Sequence, residues 1–250
     1  MGKQKNNKTI KKDDMILPLL PLRGLVVFPY VIMHFDVGRY KSIKALDDTI
    51  TNNQLIFLVA QKDLKSDSPS EDDIYKVGTI SRVKQLVKLP GDTIRVLIEG
   101  VSRAEVKEFV QVEPYFMAQV EEREVSIENN SELEIEALKR QVLEAFEEYI
   151  RLSSKISTDI LLTISSIENV GQMCDMIASS IFLKVEVKQE ILNEFDPVSR
   201  MEKLLEILIK ENEILAIEKN INQRVRSQID KMQKEYYLKE QMKAIQNELG

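Results

Sequence analysis

The chain reads as an α+β protein: a β-rich, partly closed barrel with one helix, followed by an α-helical bundle ending in one very long C-terminal helix. Three observations predict this. Residues 15–125 hold many short apolar runs broken by Pro, Gly and Asp, with a single stretch of helical spacing, which favours a barrel over a parallel α/β sheet. After Asn129-Asn130 the apolar residues recur at three and four positions and continue to do so. From Pro197 to Leu249 there is no Gly, and no Pro after the first residue.

Taken in order, Met1 to Asp14 is polar and lysine-rich and reads as a disordered tail. The β-rich domain is expected over 15–125. Met15–Leu22 and Leu25–Phe28 are apolar runs punctuated by Pro18, Pro21 and Pro29, so short edge or bent strands are expected. Val31–Phe35 is a further strand. Arg39 to Thr51 places Ile43, Leu46 and Ile50 on one helical face. Leu55–Ala60 is unbroken and apolar, as in a strand buried on both faces, and Lys62 to Asp73 is a polar loop. Val77–Leu89 and Ile94–Ile98 flank Pro90-Gly91-Asp92, a hairpin. Ser102–Val110 and Tyr115–Glu124 add alternating strands.

The bundle is expected over 131–209. Ser131 with Glu134 is a capping box opening a helix to about Lys155. Asp159–Ile167, Asn169–Ile181 and Val187–Phe195 are shorter helices, and the start of the last helix closes the bundle. That last helix is expected over 197–249, spanning bundle and linker. Asp196-Pro197 supplies an N-cap and a proline at the first helical position. Roughly 50 residues at about 1.5 Å each make a rod on the order of 75 Å, longer than a small domain is wide. Ile214, Ile217, Ile221, Val225, Ile229, Met232 and Tyr236 recur about every 3.67 residues, the spacing of a straight or slightly right-handed seam.

Composition narrows the function. A net charge of −6 argues against a nucleic-acid or anionic-membrane binder. No apolar run approaches the ~20 residues of a membrane span. One cysteine, Cys174, and one histidine, His34, leave no closed zinc site and no internal disulfide, and fit a reducing compartment. A phosphate-binding loop needs G-x-x-x-x-G-K-[ST], yet the only Gly-Lys pair is Gly2-Lys3. The residues describe a chain that binds or organises rather than catalyses, with no catalytic, cofactor or metal residues.

Three stretches carry a resemblance. They are Leu20-Pro21-Leu22-Arg23 through Val26-Val27-Phe28-Pro29 with Val37-Gly38-Arg39; Val77-Gly78-Thr79-Ile80 through Pro90-Gly91-Asp92 to Glu99-Gly100-Val101-Ser102-Arg103-Ala104; and Tyr236-Tyr237-Leu238 through Gly250. In this order they resemble the ATP-dependent Lon proteases. The resemblance implies a PUA-like substrate-binding β domain, the N-terminal region of a cytoplasmic, homohexameric bacterial enzyme, ending before its ATPase module. It implies ATP, Mg²⁺ and a Ser-Lys dyad for the parent, none of which falls on a residue of this chain. Expected partners are unfolded or degron-bearing proteins and sister subunits, with no membrane and no nucleic acid.

Capture of such substrates calls for exposed apolar groups. Pro29, Tyr30, Val31 and Met33, with Leu89 and Pro90 at the hairpin tip, are the candidates. Met232, Tyr236, Met242 and Ile245 form a second surface on the distal helix, for substrate or sister subunits. The alternative is a module that mainly spaces and oligomerises the subunits.

Overall fold

The computed structural model describes residues 9–11, 15–125, 131–153 and 155–250. Of the expected tail, Thr9–Lys11 forms a short strand, β1, antiparallel to β7 (Phe116–Val125); the rest of that expectation lies outside the described residues. Between them run β2 (Met15–Leu22), β3 (Ile32–Val37), helix α1 (Tyr40–Thr51), β4 (Leu55–Ala60), β5 (Val77–Leu89) and β6 (Thr93–Gln111). The strand order is β1-β7-β2-β4-β5-β6-β3, and β6 also pairs with β7. Pairing thus follows a circuit through β7, β2, β4, β5 and β6. Only the second half of β6 completes it, because the first half turns away to carry β3. This is the partly closed barrel, antiparallel except where β2 meets β4.

The prolines of β2 do not place it at an edge. Met15–Leu19 pairs with β7 and Leu19–Leu22 with β4, so the two neighbours are staggered. Pro18 lies opposite Met117 alone and Pro21 opposite Val59 alone. Each proline has a partner strand on one side only, so its missing N–H leaves the sheet unharmed. Leu25–Phe28, expected as a strand, joins no ladder, though Thr79 Oγ1 donates to Val27 O at 2.6 Å. Val27 enters the barrel core while Val26 and Phe28 enter the helical core, so the segment is held by its side chains. The expected strands at Ile94–Ile98 and Ser102–Val110 are one, since β6 continues through Gly100 with a register shift against β5 at Val101.

Alternation places the cores. Along β4, Phe57 and Val59 feed one apolar cluster and Ile56 and Leu58 another, which Leu46 of α1 joins. Glycine is required where backbone crosses this layer. A Cβ at Gly78 would overlap the Leu58 carbonyl oxygen and the Phe57 ring, and one at Gly100 would overlap the Phe28 carbonyl oxygen.

The helices are α2 (Glu132–Ser153), α3 (Asp159–Ser165), α4 (Val170–Ser180), α5 (Val185–Asn193) and α6 (Pro197–Leu249). Caps start them where the sequence places them. Ser131 and Glu134 exchange bonds of 3.1 and 3.2 Å; Asn169 Oδ1 accepts from Gln172 N at 2.9 Å and Asp196 Oδ2 from Ser199 N at 2.8 Å. Phe146, Met173, Cys174, Ile177, Leu204 and Leu208 are buried together in the bundle core, which also takes in Val26, Phe28 and Ala60 from the barrel. Burial pushes the Cys174 thiol up to about 12, which keeps it protonated and inert. α6 has 53 residues, about 80 Å of rod.

Gly100→Ala is expected to destabilise the chain by about 1–3 kcal/mol, since the clash is with backbone that cannot swing aside. Urea unfolding would read this as a lower midpoint with an unchanged slope.

Candidate functional site

The site starts from a strained tyrosine. Tyr30 N donates to Gly100 O at 2.8 Å, and Gly100 N donates to Val31 O at 2.9 Å, so two residues of one chain segment face one of the other. This is a β-bulge, and its first residue lies in the left-handed region, φ 66°. Glycine normally fills that position; a tyrosine pays steric strain to hold it. The result is a ring half exposed at the head of β3, which itself is an outermost strand paired only with β6 among the described residues.

Along β3 the side chains alternate. Met33 and Phe35 turn toward the barrel core and remain half-buried at its rim. Ile32, His34 and Asp36 face solvent, and Ile32 is 63% exposed. Asp36 is held by Arg95 of β6 through a two-pronged contact of 2.7 and 2.8 Å, which lowers the carboxyl's pKa chiefly by that hydrogen bond. The structure therefore brings Tyr30 and Ile32 together as an exposed apolar pair beside the half-buried rim of Met33 and Phe35. It does not add Pro29, which is buried, and Val31 is half-buried against the helical core. Leu89 and Pro90 sit at the opposite end of β3, where Leu89 faces Thr93 at the hairpin tip; Leu89 is half-buried and Pro90 exposed. Ile32 was missed by sequence reasoning. Its signal was the polar phase of the strand, because His34 and Asp36 mark the solvent side on which Ile32 also falls.

Below Tyr30, a cleft of about 260 Å³ runs between barrel and bundle, with Pro29, Arg123, Phe195 and Arg200 among its walls. At its base Arg103 of β6 and Arg200 of α6 both grip Asp175 of α4. Arg103 Nη2 donates to Asp175 Oδ1 at 2.8 Å and Arg200 Nη1 to Oδ2 at 3.3 Å, with all three side chains buried. Arg103 Nε also donates to Leu192 O, and Arg200 to the carbonyls of Gly171, Glu194 and Phe195. Burial lowers the Arg200 pKa, and Asp175 opposes that shift. Nearby, Arg123 lies over the Phe195 ring at 5.6 Å, and Gln189 donates to Val77 O at 2.9 Å. The junction is thus polar, buried and almost fully partnered, with Gln189 Oε1 its exception.

The distal candidates lie elsewhere. α6 packs on α2 and α4 as far as Leu215, with Asn212 Nδ2 donating to Ala145 O at 2.8 Å. Every residue from Ile217 onward is exposed, including Met232, Tyr236, Met242 and Ile245. The apolar seam begins on Ile214 just as the bundle ends, so the packed part stops sooner than the seam's length suggests. No described residue covers it.

Residues 16–210 match the family described as the ATP-dependent protease La (LON) substrate-binding domain. The chain belongs to this family. The match spans the barrel and nearly all of the bundle, ending within the packed part of α6. Lon protease from Clostridioides difficile (strain 630) is 52% identical over 242 residues, which is 96% of this chain and 31% of the relative. Lon protease 1 of Bacillus subtilis (strain 168) is 44% identical over 234 residues, 94% of this chain and 30% of the relative. The chain therefore spans about three tenths of the length of these relatives. Among solved structures, the N-terminal domain of a Mycobacterium avium complex Lon protease superposes with a TM-score of 0.62 at 16% identity, covering 78% of this chain and 98% of that one; the likeness is one of fold. Among the described residues, no helix is long and apolar enough to cross a membrane, and no three His, Cys, Asp or Glu residues gather to hold a metal.

Two outcomes test this geometry, and a third, at an exposed ion pair, serves as their reference. Tyr30→Gly and Tyr30→Ala remove the same ring, but only glycine relieves the left-handed strain, so Tyr30→Gly should be the more stable by about 1 kcal/mol in thermal unfolding. Asp175→Ala leaves two buried guanidinium groups facing each other and should cost about 3–5 kcal/mol. Asp67→Ala, which breaks the exposed Arg23–Asp67 pair, should cost less than about 1 kcal/mol.

Proposed function

We propose that the chain is the polypeptide-recognition region of an ATP-dependent serine protease, capturing unfolded or apolar segments of damaged and short-lived proteins. The carrying observation is an exposed apolar pair, Tyr30 and Ile32, set on a strained bulge of a domain whose family is the Lon substrate-binding domain. Water disfavours such groups, and a native protein that keeps them pays in stability for a surface that binds. Folded proteins hide the complementary apolar segments, so discrimination follows without reading sequence.

In this reading α6 is a rod between the capture surface and an ATPase ring, and the Arg103–Asp175–Arg200 junction fixes its angle to the barrel. ATP and Mg²⁺ would serve the rest of the relatives' length. The residues here do not fit them, since the sequence has no phosphate-binding loop, and no step in capture runs through either. A reducing cytoplasm agrees with a lone buried thiol at Cys174.

A second reading, favoured by the exposed seam from Ile214 to Tyr236, is that the rods associate sister subunits of a homohexamer. A rising mass with concentration in sedimentation would favour it. The two readings share one test. A permanently unfolded model protein and its folded form are titrated against the chain, then against Tyr30→Ser/Ile32→Ser and Met232→Ser/Tyr236→Ser. Capture by β3 predicts binding of the unfolded form alone, weakened about tenfold or more by the first pair, about what losing two exposed apolar contacts costs. Equal binding of folded and unfolded forms would overturn capture, and weakening by the second pair alone would move it to the rod.

A further inference from the structure

We infer that β3 captures its substrate through main-chain hydrogen bonds, as an open sheet edge that an extended polypeptide joins as an added strand. The inference rests on the capture reading and names its mode and its ligand: an extended segment with apolar residues at alternate positions.

The register identifies the free groups. Gly100 N donates to Val31 O, and the pairs continue Ile32↔Glu99, Met33↔Ile98, His34↔Leu97, Phe35↔Val96, Asp36↔Arg95. In an antiparallel ladder, bonded and non-bonded pairs alternate. Tyr30 N–H, Val31 C=O and both groups of Met33, Phe35 and Val37 therefore turn to β6, while Ile32, His34 and Asp36 aim N–H and C=O away from it. No backbone or side-chain hydrogen bond among the described residues reaches those outward groups. Three donors and three acceptors stand in a row at the spacing of a strand, a row that another extended backbone matches group for group.

Native sheets usually blunt exposed edges with lysine, proline or an inward charge. Ile32–Val37 contains no lysine and no proline, and its one carboxylate, Asp36, is neutralised by Arg95 within the sheet. The bulge at Tyr30 bends the head of the strand but leaves the row from Ile32 to Asp36 straight in register. An added strand would set alternate side chains beside Met33 and Phe35, the half-buried apolar rim of the barrel core, and the others beside Ile32 and His34. That pattern is the alternation of strands that folded proteins keep inside. A second copy of β3 fits less well: antiparallel pairing about His34 would oppose His34 to itself and Ile32 to Asp36, an apolar group against a committed carboxylate.

The test separates backbone from side chains. A ten-residue peptide alternating Val and Thr, flanked by lysines for solubility, is titrated against the chain together with a version N-methylated at every Val and Thr, which keeps the side chains but removes the amide donors of both strand edges. His34→Pro removes the outward N–H of an exposed residue that gives no bond to β6, so the sheet is retained, as circular dichroism and thermal unfolding would verify. His34→Ala removes only the ring. Strand addition predicts about tenfold weaker binding for the N-methylated peptide and for His34→Pro, the loss of about one to two hydrogen bonds, with His34→Ala within about twofold of the parent. Should His34→Pro unfold, the peptide comparison on the parent chain decides alone. Equal binding of both peptides would overturn strand addition while leaving side-chain capture intact. Failure of both peptides, alongside failure of the unfolded protein, would overturn the capture reading itself. Dimerisation of the free chain that the peptide disperses would assign the edge to a second copy.

Discussion

Asp175 receives a guanidinium from the barrel and another from the rod, and each of those arginines also satisfies carbonyls at the end of α5. Two charges of one sign and one of the other are buried together, a costly arrangement unless each lone pair and proton is placed. Here nearly all are. A hydrophobic interface of the same size could slide, whereas this one has a single register, because shifting any of the three side chains strands a charge. The angle between a β barrel and a rod of about 80 Å is therefore set by a few ångströms of polar geometry.

That constraint gives the capture edge its mechanical sense. β3 hangs from the first half of β6, and Arg103 lies three residues beyond Gly100 on the same strand. A polypeptide pulling on β3 thus loads a strand anchored through Arg103 to Asp175 and so to α6. Gly100 is the pivot: its amide holds the Tyr30 bulge on one side, and its missing Cβ lets Phe28 cross on the way to the helical core. Strain at Tyr30, close packing at Gly100 and charge at Asp175 form one continuous path from solvent to rod.

Much of this was legible in the sequence, for local reasons. Pro90-Gly91-Asp92 between alternating runs makes a hairpin in any context. Ser131 with Glu134 and Asp196 with Pro197 mark helix starts through bonds made within four residues, and the absence of Gly and Pro after 197 permits the long rod. What escaped depends on partners distant in the chain. Pro18 and Pro21 read as edge markers, and only the stagger of β7 and β4 explains how β2 lies inside the sheet. Gly100 read as a strand break because its role is set by Phe28. Pro29 read as exposed beside Tyr30, yet the crossing of Phe28 into the helical core buries it. Asp175 is one acidic residue in an apolar helix, and nothing nearby announces the two arginines that reach it from residues 103 and 200. The unpaired groups of β3 could not be read at all without knowing that β3 is last in the sheet.

Amide hydrogen exchange of the intact chain, with and without a saturating unfolded polypeptide, tests this account most directly. Capture at the sheet edge predicts new protection at Ile32, His34 and Asp36, whose N–H groups are otherwise open to water, with no change along 217–249. Protection confined to the distal helix, with β3 exchanging as freely as before, would contradict it.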